Sequence, residues 1–263
     1  MNKPKHSHKQ VHNLTPSNAS WTDNIDRLVL FADFLGFKRR IYTKSHEDIQ
    51  KEMMDFHIKW NKIIRPFKAN ENLQESQFSD SLIIVVNGTD EKMFNLISKA
   101  AICLMHVAMK MKLPIKGVIS QGSFTFDKEN ELYLGRALVD AYLLEEEVKY
   151  YGIVVHNTAE GTVKKYFSNK NPYSNTQIYI SKGKTCHYHL CWNLIGETLS
   201  PMDITEKCKS WIEKIAEDVS GEPRIYVDHS YDILMNDSKQ FKDETTNNNM
   251  SNYEQSENIS GLP

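Results

Sequence analysis

The chain has 263 residues, of which 40% are apolar and 25% are charged, an ordinary composition for a soluble globular protein. This length allows one sizeable hydrophobic core, or one domain with appendages. The formal net charge is −2, from 32 basic and 34 acidic residues, so no global field would recruit nucleic acid or an anionic membrane. No segment approaches the roughly 18 consecutive apolar residues of a membrane span, and the N-terminus lacks an apolar signal-peptide region. A cytoplasmic location is therefore expected, with neither membrane nor nucleic acid as a partner.

Both ends of the chain are polar. Residues 1–22 are rich in Lys, His, Asn and Ser, and residues 236–263 are rich in Asn, Ser, Glu and Lys with few apolar side chains. Segments of this kind cannot bury enough apolar surface to offset the entropy lost on folding. We therefore predict disordered tails over 1–22 and 236–263, and a single domain over 23–235.

The first predicted element is a short strand at Leu28–Phe31, where apolar residues with high β-propensity follow one another. Asp33 lies where this strand should still be buried. A carboxylate in an apolar strand is costly unless its charge is compensated, and a bound cation is the usual compensation. Gly36 then allows a sharp turn, and a helix is predicted to begin at Phe37–Arg40.

A related pattern follows at Gln77–Asn87, where an apolar strand carries one acid, Asp80, at its start. The two strands are separated by a predicted helix at Ser45–Trp60, with its first residue as the N-cap, and by Pro66, which closes this region. The recurrence leads to the hypothesis that Asp33 and Asp80 meet on adjacent strands and hold a divalent metal.

The later elements alternate between helix and strand. They are helix 90–113, strands 115–126 and 132–134, a helix starting at Gly135, strand 152–156, a loop-like region at 157–176, strands 178–180 and 187–194, helix 204–219 and a closing segment at 231–234. Gly117 and Gly122 within strand 115–126 predict a bulge, or a place where another backbone or a ligand approaches closely. This order favours an α/β or α+β sandwich in which helices cover one face of a mixed sheet.

The hexapeptide CHYHLC at 186–191 packs four soft metal ligands together and requires a test for zinc. In a strand, His187, His189 and Cys191 share one face while Cys186 lies on the other. Structural zinc sites draw their ligands from separated pairs two to four residues apart. The favoured interpretation is therefore an ordinary strand of mixed burial, and four scattered cysteines give no disulfide scaffold.

Several motifs, taken in order, resemble the class III nucleotide cyclase catalytic domain. They are FADFLGF, FSDS, ISQGSF, GRALVDAYLLEE and YYGIVVH, between residues 31 and 156. More narrowly, the set resembles the bacterial pyrimidine cyclases of the Pycsar antiphage systems, which make 3′,5′-cyclic UMP or cyclic CMP. The resemblance covers about residues 25–160 closely and 178–234 less closely.

The resemblance implies an α+β fold with a ferredoxin-like cyclase core, in which a mixed or antiparallel sheet carries helices packed on it. It implies a metal-dependent lyase that cyclises a nucleoside triphosphate and releases pyrophosphate. Asp33 and Asp80 match the family's metal-binding aspartates, and Phe34 matches the residue whose backbone carbonyl joins the coordination. Two Mn²⁺ or Mg²⁺ ions per site and a homodimer with composite active sites are implied in the same way.

Two departures from the family's pattern bear on the substrate. The Asn and Arg that purine cyclases carry in the helix after the glycine are replaced by Val139 and Leu143, so the usual transition-state arginine is absent from its place. The residue that selects the purine base falls at Ser76, which is small and uncharged. This loss agrees with a pyrimidine substrate, and UTP is preferred to CTP because uridylate cyclases are commoner among the relatives.

The cyclisation reaction that the resemblance implies also requires groups that bind phosphate, stabilise negative charge and recognise the base. The turn at Gly36 and the helix start at Phe37 would present backbone N–H groups to phosphate oxygens. A cation should stabilise the developing charge, and Lys38 and Arg40 are the first candidates. The remaining candidates are Arg39 and Arg136 for the cation, and Ser76, Gln77 and Tyr42 for recognition of the base.

Three alternatives stay open beside the pyrimidine cyclase. A purine cyclase would share the metal site. A cyclase-like domain without catalysis, acting as a dimerising or sensing module, is favoured by the loss of the Asn and Arg pair and disfavoured by retention of both aspartates. A two-metal phosphodiester enzyme of palm-like topology is disfavoured because the chain lacks a basic surface with interleaved aromatic residues.

Overall fold

The computed structural model describes residues 20–69, 71–166, 172–196 and 199–257, with side chains through residue 241. The predicted N-terminal tail lies outside the described residues except for 20–22. Within that short stretch, the Trp21 ring packs edge-on against Phe126 at 6.0 Å, and the Phe126 N–H donates to the Trp21 carbonyl. The folded part of the chain therefore begins before residue 23.

The described residues form nine strands and seven helices. The strands are β1 Asp26–Phe34, β2 Leu73–Phe78, β3 Ser81–Val86, β4 Ile115–Ser123, β5 Thr125–Asp127, β6 Leu132–Leu134, β7 Ile153–Val155, β8 Tyr173–Ile180 and β9 Gly183–Leu190. The helices are α1 Phe37–Thr43, α2 His46–Lys68, α3 Glu91–Lys110, α4 Arg136–Glu147, α5 Asn157–Tyr166, α6 Pro201–Ala216 and α7 Glu222–Glu257.

Seven strands form one mixed sheet in the order β2-β3-β1-β4-β7-β9-β8, and β5 pairs with β6 in a separate ribbon. All neighbours in the large sheet are antiparallel except β4 and β7, which are parallel. Strand β1 lies between β3 and β4, so it is hydrogen-bonded on both sides. The site discussed below is built around the C-terminal end of this central strand.

Both faces of the sheet are covered, because successive residues of β1 point into different clusters. Leu28 and Leu30 join the larger core with helices α2, α3 and α6. Val29 lies against Ala137 of α4 on the other face. The sequence predicted helices on one face only, and it missed α4 on the opposite face because periodicity does not reveal which face a helix covers.

Helix boundaries agree with the sequence where a cap residue marks them. The Ser45 and Asp90 side chains accept hydrogen bonds from the backbone of the first turns of α2 and α3. Helix α2 runs through Pro66 to Lys68, so the proline lies inside its last turn instead of ending the region earlier. The close approach predicted at Gly117 is present, since a Cβ there would lie 2.7 Å from the Phe31 carbonyl oxygen.

Two regions differ from the sequence prediction. Residues 157–166, predicted to be loop-like, form α5, which buries Ala159, Thr162 and Val163 at helical spacing. The predicted strand 115–126 is two strands, because the chain leaves the large sheet after Ser123 and resumes as β5 at Thr125.

The C-terminal region also differs. Helix α7 continues past residue 235, and Asp237 and Ser238 are buried at 3% and 6% exposure. The prediction of a tail from residue 236 is therefore wrong at its start. These residues are polar, so their composition looked like that of a solvated segment, yet their burial depends on partners elsewhere in the chain. The description as a single cyclase-type domain stays a prediction.

Helix α3 has the length and hydropathy of a membrane-crossing segment, and 67% of its apolar window is buried in the fold. Its buried residues, among them Ile97, Leu104 and Met105, belong to the larger core cluster. Such burial is typical of the core helix of a globular protein. We therefore interpret α3 as a core helix.

Candidate metal and nucleotide site

The two aspartates singled out from the sequence are brought together at the end of β1. Asp33 is paired directly with Ser81 of β3. The Phe34 N–H donates to the Asp80 carbonyl oxygen at 3.0 Å, and the Ser81 hydroxyl donates to Asp33 Oδ1 at 3.1 Å. One backbone bond and one side-chain bond therefore fix the two acidic residues on neighbouring chain segments.

Asp80 owes its position to a tight hairpin between β2 and β3. Phe78 pairs with Ser81, which leaves Ser79 and Asp80 as the turn, and Ser79 has a positive φ of 54°. The sequence placed Asp80 at the start of one continuous strand from Gln77, and the structure places it in this turn instead. A turn residue at the sheet end keeps its carboxylate accessible, whereas a residue in the strand interior would be covered.

The electrostatics of Asp33 are those of a carboxylate lacking compensation. Burial raises its pKa to about 6, and the Asp80 charge raises the pKa in the same direction. The hydrogen bond from Ser81 and the positive charge of Lys116 lower the pKa but do not offset the burial. A divalent cation between the two carboxylates would favour their ionised forms, so these residues fit the metal that the sequence resemblance implies.

Lys116 was not identified from the sequence. It pairs directly with Asp33 across β1 and β4, at only 6% exposure. Its ammonium group donates to the carbonyl oxygens of Glu145 and Val148 at 2.7 and 3.3 Å, and it lies 3.2 Å from Glu145 Oε1. Lys116 therefore lies between two acidic residues, Asp33 and Glu145. The three side chains form a row of alternating charges, and Asp33 is its outermost member.

Glu145 closes this row from α4. Burial raises its pKa to about 7, against the opposing effect of the Lys116 charge. A signal for this residue was available in the sequence, because Ala137, Ala141 and Glu145 recur at four-residue spacing and are the buried residues of α4. For Lys116 the corresponding signal was a lysine at the start of an apolar strand.

Phe34 and Gly36 lie directly after Asp33, and their roles in binding metal and phosphate stay predictions. Phe34 is 2% exposed and packs edge-on against Phe56 at 4.9 Å, which anchors the backbone beside the aspartates. The Leu35 N–H donates to the Pro114 carbonyl at 2.8 Å. Gly36 has a φ of 74°, in the left-handed region that favours glycine, and α1 starts at Phe37. The chain thus turns sharply directly after Asp33 and Phe34.

The basic candidates differ in their surroundings. The Arg40 guanidinium lies 3.1 Å from Glu52 Oε2 and also donates to the Lys112 carbonyl, so its described partners lie outside the aspartate pair. Lys38 is exposed on α1. Arg136 is 77% exposed and forms an ion pair with Asp140 at 3.3 Å. Of the basic candidates, Lys38 and Arg39, both exposed on α1, are the ones whose side chains remain available near the turn.

Two of the three candidates for base recognition lie close to the hairpin, whereas Tyr42 is exposed on α1. Ser76 and Gln77 belong to the edge strand β2, paired with Ile83 and Leu82. The Gln77 amide donates to the Ser79 carbonyl at 3.3 Å, so this side chain lies against the turn that carries Asp80. Their assignment as substrate-binding residues stays a prediction.

Helix α4 carries an apolar surface at the positions where the family has Asn and Arg. Val139 and Leu143 are 54% and 56% exposed, and Tyr142 between them is 44% exposed. Leu132 and Leu134 of the neighbouring ribbon are 47% and 50% exposed. Exposed apolar side chains grouped in this way are typical of a protein–protein interface.

A second group of possible metal ligands lies outside this site. His189, Cys191 and Asp237 are all buried, and their ligand atoms lie within 4.8 Å of one another. The strand predicted at 187–194 is present in part, because β9 includes residues 183–190 and ends before Cys191, with Cys186 exposed and His189 buried. The sequence did not reveal the group, because Asp237 lies in the segment predicted to be a tail.

No protein-family model and no curated protein matches the chain. Solved structures with a similar fold include the guanylyl cyclase domain of the RhoGC fusion protein from the aquatic fungus Blastocladiella emersonii, in a monomeric double-mutant form. Its TM-score is 0.50 at 13% identity, over 64% of this chain and 95% of that chain. A dimeric structure of the same domain has a TM-score of 0.50 at 14% identity, over 63% and 95% of the two chains.

A third similar structure is the catalytic core of a rhodopsin-guanylyl cyclase with converted specificity in complex with ATPαS. Its TM-score is 0.50 at 14% identity, over 64% of this chain and 95% of that chain. At this level of identity the likeness concerns the fold. The predicted α+β fold of a class III cyclase catalytic domain, with a mixed sheet and packed helices, is therefore confirmed.

Proposed function

We propose that the protein is a metal-dependent nucleotidyl cyclase. It converts a pyrimidine nucleoside triphosphate, UTP in preference to CTP, into the 3′,5′-cyclic monophosphate and pyrophosphate. The observation that supports this most strongly is the juxtaposition of Asp33 with the Asp80 hairpin, held by the Phe34–Asp80 backbone bond in a cyclase-type fold. The cyclic nucleotide would act as a second messenger in antiphage defence, a role that rests on the sequence resemblance alone.

In the proposed reaction the ribose 3′-hydroxyl attacks the α-phosphorus of its own triphosphate, and pyrophosphate leaves. Asp33, Asp80 and the Phe34 carbonyl would hold two Mg²⁺ or Mn²⁺ ions. Bound there, such ions lower the pKa of the attacking hydroxyl and neutralise charge on the triphosphate. The carboxylates must stay ionised, and Lys116 favours that form of Asp33 from the buried side.

The triphosphate would lie along the turn at Gly36, whose backbone can approach a ligand closely because it lacks a side chain. Lys38 is the cation proposed to stabilise the developing charge in this chain. Arg40 is proposed in a positioning role, because its ion pair with Glu52 and its bond to Lys112 brace α1. Ser76 and Gln77, beside the Asp80 turn, would contact the base.

A homodimer would complete the pocket. The apolar surface of α4, with Val139 and Leu143 at its centre, is the proposed contact, because burying exposed aliphatic side chains favours association. In this arrangement each pocket would receive groups from both copies. The absence of the family's Arg at Leu143 means that the charge-stabilising group comes from elsewhere, which is the reason for proposing Lys38.

The test is a product assay with each of the four ribonucleoside triphosphates and Mn²⁺, analysed by mass spectrometry. Cyclic UMP, or cyclic CMP at a lower rate, is expected. Formation of cyclic AMP or cyclic GMP alone would overturn the pyrimidine assignment while keeping the cyclase. No cyclic product from any triphosphate, with a folded dimeric protein, would favour the alternative of a catalytically inactive sensing module.

A further inference from the structure

We propose that His189, Cys191 and Asp237 form a structural transition-metal site, with Zn²⁺ as the natural ion, that fastens helix α7 to the sheet. His189 lies at the end of β9, paired with Val154 of β7, and Cys191 follows the strand directly. Asp237 approaches from α7, 46 residues further along the chain. The ligand atoms of all three residues lie within 4.8 Å of one another.

The burial of this cluster is the first argument. His189, Cys191 and Asp237 are exposed by 1%, 5% and 3%, so the carboxyl group lies among buried residues. A buried carboxylate is destabilising unless a positive charge or several hydrogen bonds compensate it. Among the described side chains, the Asp237 carboxylate has one hydrogen-bond partner, His189 Nε2, at 2.9 Å. A divalent cation among the three residues would supply positive charge to this carboxylate.

Unsatisfied polar atoms around the cluster are the second argument. His189 Nδ1 and the Tyr150 hydroxyl are both buried, and neither has a hydrogen-bond partner in the described part of the chain. The two rings meet edge-on at 6.5 Å, so both orphaned atoms belong to one small region. Most buried polar atoms in proteins are satisfied, so two orphans beside a Cys and an Asp indicate a missing ligand.

The donor set selects the kind of ion. Thiolate and imidazole are ligands that Zn²⁺ and similar transition metals prefer, whereas Mg²⁺ prefers oxygen ligands. The burial makes a closed structural site the natural interpretation, because no substrate could reach the ion. This distinguishes the cluster from the carboxylate pair at Asp33 and Asp80, which lacks sulfur and nitrogen ligands.

The position of the cluster between β9 and α7 indicates that a bound metal would hold the helix against the sheet. Near the cluster, α7 is held by the Tyr151 N–H donating to Ser230 at 2.7 Å, and by Asn193 donating to the Leu234 carbonyl at 3.3 Å. A metal bond between Asp237 and the end of β9 would add a cross-link between elements distant in sequence. Metal binding to the folded state alone stabilises that state by mass action.

The experiment is titration of the chelator-treated full-length protein with Co²⁺, followed by absorption spectroscopy. A near-ultraviolet sulfur-to-cobalt charge-transfer band is expected at one equivalent, and Zn²⁺ should remove it. Cys191→Ser should abolish the band. Cys186→Ser is the matched control, because this exposed cysteine lies in the same strand, and it should keep the band. Asp33→Asn should also keep it, which separates the cluster from the carboxylate site.

A folded protein without the band overturns the proposal, and so does a band that Cys191→Ser keeps and Cys186→Ser loses. If circular dichroism shows that Cys191→Ser does not fold, thermal unfolding of Cys186→Ser with and without Zn²⁺ decides. A rise in its midpoint with Zn²⁺, together with the cobalt band, supports the site. An unchanged midpoint contradicts it.

Discussion

The large sheet carries two groups of possible metal ligands with opposite character. The group at Asp33 and Asp80 is open, built from two carboxylates at the end of β1 and in a hairpin turn. The group at His189, Cys191 and Asp237 is closed, and its members are at most 5% exposed. An open set of oxygen ligands suits a reaction on a substrate, whereas a closed set with sulfur and nitrogen suits stability.

The two groups also differ in how the fold completes them. The three members of the closed group all come from one chain, since α7 brings Asp237 to the sheet. The open group lies beside a helix whose outer surface, at Val139 and Leu143, is apolar and exposed. Ligand type alone therefore does not assign a role to either group. The burial and the neighbouring surfaces determine whether a substrate or a second copy can reach the ligands.

The largest effect is expected from removing a charge in the open group. Asp33→Asn or Asp80→Asn should lower the cyclase rate on the order of 10³-fold or more, about 4 kcal/mol, because each carboxylate holds the proposed catalytic ions. Initial rates with Mn²⁺ and the preferred triphosphate give the measurement. Asp26→Asn is the control, since Asp26 is exposed at the far end of the same strand, and its rate should be unchanged. Equal rates for all three variants would contradict the assignment.

The second largest effect is expected from weakening the proposed homodimer, in which a second copy would complete the open group. Val139→Glu or Leu143→Glu should weaken a dimer on the order of 10²-fold, because association would bury unpaired carboxylates. Sedimentation at several concentrations measures the dissociation constant, and activity should fall with it. Ile58→Glu on α2 is the control, since Ile58 is 60% exposed and as apolar. A monomeric wild-type protein with full activity would remove the composite-site argument.

The closed group should matter for stability in the absence of metal as well. In a chelating buffer, Asp237→Ala should lower the free energy of unfolding by about 2 kcal/mol, a factor of about 30, because His189 loses its buried partner. Urea denaturation followed by circular dichroism measures the change. Asp228→Ala serves as the control on the same helix, because its side chain is 67% exposed, and it should shift the midpoint little. A loss of the same size in both variants would indicate a general effect on α7.

The smallest effect is a pH dependence of the open group alone. Burial raises the pKa of Asp33 to about 6, and only the ionised form binds metal, so the affinity for Mn²⁺ should fall about tenfold from pH 7 to pH 5. Without metal, the pH dependence concerns the stability of the fold, and it has the opposite direction. The folded state holds its proton more tightly than the unfolded chain, so this group favours folding at low pH and loses that contribution as the pH rises through about 6.

Calorimetric titration of Mn²⁺ at several pH values measures the first of these two effects. Ser81→Ala sharpens it, because loss of the hydroxyl donor at 3.1 Å should raise the pKa of Asp33 further and move the affinity midpoint to higher pH. A midpoint that moves to lower pH in this variant contradicts the proposed electrostatics.

Elements with strong local signals could be predicted from the amino-acid sequence. The capped helices α2 and α3 begin at Ser45 and Asp90, because a side-chain oxygen there satisfies an orphan N–H of the first turn. The acid in the apolar strand β1 marked the candidate site, since a buried carboxylate requires compensation. The turn at Gly36 followed from the conformation that glycine permits.

Contacts between segments that are distant in the chain could be found only from the tertiary structure. Lys116 lies beside Asp33, and Asp237 lies beside His189, because strands and helices dock in three dimensions, and neither contact has a local signature. The same reason explains the wrong prediction of a tail from residue 236, whose polar residues are buried only through remote partners. Local patterns thus identified Asp33 and Asp80, whereas packing added Lys116 to the first group and Asp237 to the second.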